Sequence, residues 1–220
     1  MNGKAIRAVA IGACGLALFA LGCKKSGDAN EARVAIKTSF PKGVDPMSPR
    51  ALKFSDFVAM PAPPDVTKND PRYEKVRIPA FSNPLGLKEG DVVSVRGYLH
   101  RAAYMGDGGY NLRLNDSPSS ADGYMVIEIP DDDDVDDKHV RGMIEMARGV
   151  VKGQVLSGSE PSKQGNMLQE APYVEIYGQL YFNDRSVGDP PRTDAQGTHR
   201  ATNWEIHPGI SIQVLPKPTN

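Results

Sequence analysis

Hydrophobic and polar positions alternate most strictly near the end of the chain, in Trp204–Leu215. Trp204, Ile206, Pro208, Ile210, Ile212 and Val214 are apolar, while the intervening Glu205, His207, Gly209, Ser211 and Gln213 are polar or small. Successive side chains of an extended strand point to opposite faces, so this period of two predicts a strand with one covered face. Residues 172–182 repeat the pattern, with Val174, Ile176, Gly178, Leu180 and Phe182 on one side and Tyr173, Glu175, Tyr177, Gln179 and Tyr181 on the other. Residues 91–100 place Val93, Val95, Gly97 and Leu99 on one face. Tyr110, Leu112 and Leu114 do the same for Tyr110–Asn115, after a Gly-rich turn that signals a hairpin. Residues 123–129 form a fifth short strand, ended by Pro130.

The period changes once. Residues 139–151 carry Val140, Ile144, Ala147, Val150 and Val151 at helical spacing, and the acids of 131–137 stand where a helix N-terminus favours negative charge. That acidic run lacks the Asp-x-Asp-x-Asp-Gly framework of a calcium loop and reads as a solvated helix entrance. Three strands, a helix and two strands resemble the OB-fold, so the expected fold is mainly β: a five-stranded Greek-key barrel with one helix between strands three and four. Residues 24–90 are broken by prolines from Pro41 to Pro84, which predicts a proline-rich tether before the barrel. Within it, residues 51–60 and 72–81 have enough apolar side chains to pack on a domain. The expected organisation is therefore 1–22 leader, 23–84 anchor and tether, 85–215 barrel and 216–220 tail.

The first residues decide location. Lys4 and Arg7 precede an uncharged run of 15 residues, 8–22, that ends at Cys23. This is the layout of an export signal, and the run is shorter than the roughly 20 apolar residues of a membrane span. Ala20-Leu21-Gly22-Cys23, followed by Lys24 and Lys25, resembles the lipobox of bacterial lipoproteins, with Ala20 where leucine is usual. The resemblance implies lipidation at Cys23 and an envelope protein facing the periplasm, on the outer membrane by the lysine after the cysteine. The only other cysteine, Cys14, lies in the leader, so the mature chain has no disulfide, thiol catalyst or cysteine metal site.

Losing Lys4 and Arg7 with the leader takes the net charge from −1 to −3. That balance makes nucleic acid an unexpected ligand, because such proteins usually carry a basic domain. The Trp204-Glu205-Ile206-His207-Pro208 ending also resembles exported bacterial proteins of uncharacterised activity that finish in a Glu-x-His-Pro strand. In OB-folds ligands lie across strands two and three and the flanking loops, which marks Tyr104, Asp107, Arg113, Tyr124, Arg192, His199 and Arg200 as binding candidates. Trp204 reads as a core plug, and Glu205 with His207 as a mutually held polar pair on the closing strand. No phosphate loop, dinucleotide fingerprint or nucleophile elbow is present, so neither cofactor nor resident metal is expected. The expected function is a non-enzymatic binding module for a protein or another envelope component. Its alternative is a metal-assisted hydrolase or nuclease built on His199, Glu205 and His207.

Overall fold

The computed structural model describes residues 33–119, 123–190, 193 and 197–219; Cys23 and Arg192 lie outside them. In chain order the elements are α1 (Val34–Lys37), β1 (Arg50–Leu52), α2 (Phe54–Ala59), β2 (Val92–Tyr104), β3 (Tyr110–Asn115), β4 (Met125–Ile129), α3 (Lys138–Val150), β5 (Asn166–Met167), β6 (Tyr173–Phe182) and β7 (Trp204–Leu215). Neighbouring strands run β2-β3-β4-β7-β6, and β6 pairs back onto β2, so the sheet closes on itself. β4 and β7 pair in parallel, while the other barrel pairs are antiparallel. With α3 between the third and fourth barrel strands, this is an OB-like Greek-key barrel.

β2 makes closure possible by serving two partners. Its first half pairs with β6, from Val92 opposite Gln179 to Tyr98 opposite Tyr173, and its second half with β3. Gly97 sits at the change of partner, where an added Cβ would strike the carbonyl of Asn115. Gly178 faces Gly209 across the β6–β7 seam, and a Cβ there would meet the carbonyl of Pro208. Each glycine lets two backbones approach closer than a side chain permits. Inside, Val93, Leu99, Leu112, Ile127, Ile176 and Ile206 are fully buried. α3 lays Val140, Met143, Ile144 and Ala147 against β4 and β7. Asp137 caps this helix, accepting hydrogen bonds from the backbone N–H of His139 (2.8 Å) and Val140 (3.2 Å).

Two expectations change. Residues 101–104, read as loop, extend β2, because this stretch pairs within the sheet with β3 on one edge and β5 on the other, and Ala102 and Ala103 are buried there. The described part of the expected tether is laid across the barrel. Phe54, Phe57, Met60, Ile78 and Leu87 enter the core cluster, β1 adds in parallel to β2, and Trp204 donates its indole N–H to the Pro61 carbonyl at 3.0 Å. Prolines end helices and ladders, but they do not prevent a chain from docking its intervening apolar side chains.

One ion pair ties this strap down. Arg33 and Glu89 meet at 2.5 Å with side chains 1% and 0% exposed. Arg33 also donates to the carbonyls of Tyr73 (3.0 Å) and Phe182 (2.9 Å). Glu89 accepts from the N–H of Ile78 (2.7 Å) and Phe182 (3.1 Å). Burial alone would lower the guanidinium pKa, but the facing Glu89 carboxylate outweighs it and the net shift is upward. The tyrosines of β6 face this layer: Tyr181 lies under Arg33, 4.8 Å from ring centre to guanidinium, and Tyr98 packs on Tyr173 at 5.1 Å.

Removing one partner of a buried pair strands the other charge. Glu89→Ala is expected to lower stability by about 3–5 kcal/mol. Urea unfolding should show a single transition with an unchanged m-value, as required if strap and barrel unfold together. A separate early transition would mean that the strap is an independent unit.

Candidate functional site

β3 and β4 project alternate side chains away from the core, and their outer surface forms the floor of an open groove of about 760 Å³. The end of β2 and the loop before β7 flank it. Among the described residues, Arg101, Arg113, Lys163 and Arg200 line the groove with one acid, Asp189, so this lining favours an anion. Asp189 is already paired with Lys68 of the strap at 2.5 Å. Arg113 lies over the ring of Tyr124 at 4.2 Å, a stack that holds both planar groups on the floor.

Three of the expected ligand residues, Arg113, Tyr124 and Arg200, thus meet in one groove. Tyr104, Asp107 and His199 are absent from its described lining, and Arg192 lies outside the described residues. Tyr104 is half-buried against Tyr110, with ring centres 6.1 Å apart. Asp107 closes its turn by accepting from the Gly109 N–H at 3.1 Å. His199 pairs through its backbone, its carbonyl accepting from the N–H of Tyr124 at 3.0 Å. Trp204 is 1% exposed, edge-on to Phe182 at 5.0 Å and stacked over Phe81 at 6.3 Å. It presents no face to a ligand.

At one end of the groove the polar face of β7 is covered. Glu205 and His207 are 1% and 5% exposed, and together with Glu128 of β4 their ligand atoms lie within 4.8 Å of one another. Asn111 donates to Glu128 Oε1 at 3.0 Å. Asn183 donates to Glu205 Oε1 at 2.8 Å, and Arg200 reaches the same oxygen at 3.0 Å. The second oxygen of Glu205 has no hydrogen-bond partner. His207 Nδ1 stands 3.0 Å from Glu128 Oε2 at ion-pair distance, yet out of line for a hydrogen bond. Burial raises the pKa of Glu205, and the nearby Glu128 adds to the rise against the opposing pull of Arg200. Burial also opposes ionisation of Glu128, but His207 outweighs it and holds that carboxyl below the usual carboxylate range.

The triad of sequence candidates therefore changes membership: the third side chain beside Glu205 and His207 is Glu128, not His199. The clue was an acid inside an otherwise apolar strand, Met125-Val126-Ile127-Glu128-Ile129, but only the β4–β7 seam brings it to the closing strand.

No family model matches this chain, and no curated protein matches it. Among solved structures it is similar to Entamoeba histolytica asparaginyl-tRNA synthetase, at 14% identity and a TM-score of 0.32 over 60% of this chain and 22% of that one. It is also similar to a Leishmania major Friedlin chain described as an aspartyl-tRNA synthetase, at 10% identity and a TM-score of 0.34 over 82% of this chain and 23% of that one. This chain thus spans less than a quarter of their length. Such remote likenesses do not bear on activity; the OB-like character lies in the strand order itself.

The groove wall is braced from the strap by Asp70, whose N–H donates to Asp184 Oδ2 at 2.9 Å. Arg72 and Thr67 donate to the Asp70 carboxylate and push its pKa well down. A carboxyl with a depressed folded pKa adds stability above its unfolded value of about 3.9 and loses it as pH falls toward the folded one. Asp70→Asn is therefore expected to flatten the loss of stability below about pH 4. Urea midpoints of both proteins at pH 7 and pH 3 check this; parallel losses would assign the acid limb to other groups.

Proposed function

We propose that this chain is a lipid-anchored protein of the bacterial envelope, facing the periplasm from the outer membrane. Its OB-like barrel acts as a non-enzymatic binding module for an anionic envelope component. The observation that carries the binding part is the groove over β3 and β4, whose lining brings together Arg101, Arg113, Lys163 and Arg200, with Arg113 stacked on Tyr124. Guanidinium groups recognise carboxylates and phosphates through paired donors, and the buried Tyr124 ring holds the Arg113 guanidinium in place from below. The export-type leader ending at Cys23 supports the anchor. Among the described residues no helix is long and apolar enough to cross a membrane.

A groove on rigid strands suits recognition without closure, because the donors are already ordered before the ligand arrives. The acidic net charge of the mature chain confines attraction to this patch, so short anionic groups fit better than a long polyanion.

NMR shift titrations of the mature chain with an acidic peptidoglycan fragment, an acidic peptide and a neutral glycan test the reading. Shifts are expected from the anionic probes at Arg113, Tyr124 and Arg200, with Arg113→Ala weakening binding about 10- to 100-fold, the worth of one charge-assisted hydrogen bond. Equal binding of the neutral glycan, or shifts elsewhere, would overturn it. Palmitate labelling of cells is expected to mark the wild type and not Cys23→Ala; label on both would remove the anchor.

A further inference from the structure

We infer that Glu128, Glu205 and His207 form a binding site for a divalent transition-metal ion of the zinc or manganese class. Three observations converge. The ligand atoms are already within 4.8 Å of one another, and donors sharing one tetrahedral ion at bond lengths of about 2.0–2.2 Å stand about 3.4 Å apart. Rotations of the two long glutamate side chains cover that difference.

Second, the free atoms are the ones a metal would take. Glu205 is 1% exposed, yet its Oε2 has no partner, and leaving a buried carboxylate oxygen bare is costly. His207 Nδ1 likewise makes no aligned hydrogen bond, although Glu128 Oε2 stands 3.0 Å away, so this ring nitrogen is open to a shared ion. Lys37 lies 5.6 Å from the neighbouring Tyr181 ring and contributes positive charge, but the orphan oxygen remains without a donor.

Third, the outward oxygens are held from behind. Asn111 fixes Glu128 Oε1, while Asn183 and Arg200 fix Glu205 Oε1. Outer partners of this kind orient ligands and are part of what gives a metal site its affinity. One imidazole with two carboxylates suits zinc or manganese; calcium and magnesium prefer oxygen donors alone. The Glu128 side chain, 21% exposed, leaves an entry path from solvent. Three protein donors also leave a coordination position for water or an outside anion. The inference is independent of what fills the groove, because bare metal ions probe it.

Equilibrium dialysis of the metal-stripped mature chain against Zn2+, read by elemental analysis, is expected to give one equivalent per chain. Glu128→Gln, at a partly exposed position, should abolish it with the circular dichroism spectrum retained. Asn111→Ala should weaken it about 10- to 100-fold. Mn2+ should broaden the amide signals of residues 127–128 and 205–207 before any others. Absence of stoichiometric binding, binding indifferent to both substitutions, or broadening centred elsewhere would overturn the site.

Discussion

Glu89 has both carboxylate oxygens committed, one to Arg33 and the Ile78 N–H, the other to the Phe182 N–H. These bonds join the start of the described chain, the middle of the strap and the end of β6 at one buried point. Hydrogen bonds to an ionised group in a dry interior are strong when all partners are present and costly when one is missing. The strap therefore docks as a whole, and much of the barrel's outer surface becomes interior. Gln179 shows the result: a polar residue on the outer face of β6 is fully buried, donating to the carbonyls of Ile36 and His207 and accepting from Arg77.

That second layer gives the Glu128, Glu205 and His207 cluster its chemical character. On an uncovered barrel these side chains would be hydrated, and their charges would interact weakly through water. Beneath α1 and beside the loop that carries Asn183 and Arg200 they meet in a poorly hydrated corner, where the same separations matter far more. The groove next to it shares Asn111 and Arg200, each of which lines the groove and holds one of the carboxylates.

Periodicity revealed the barrel well. Trp204–Leu215 and Tyr110–Asn115 begin and end where alternation begins and ends, and α3 differs from its expected span by one residue at each end. Residues 101–104 escaped because Arg101-Ala102-Ala103-Tyr104 does not alternate; backbone pairing with β3 and β5 on its two edges made it β. The strap escaped because proline spacing reports where regular structure stops, not where a chain is bound. Alternation likewise tells which residues share a face but not what covers it, so Glu205 and His207 read only as a mutually held pair on the polar face of the closing strand. Glu128 could join them only through the parallel β4–β7 pairing, which no local pattern encodes.

The docked strap also sets a length scale. Arg33 is buried at the edge of the barrel, and nine residues, 24–32, separate it from the proposed anchor at Cys23. The ten Cα–Cα steps between them span at most about 36 Å. A spacer running free to residue 84 would give such an anchor several times that reach. With the proposed anchor at Cys23, that reach would hold the barrel close to the lipid headgroups, and a groove ligand would be met near the membrane surface.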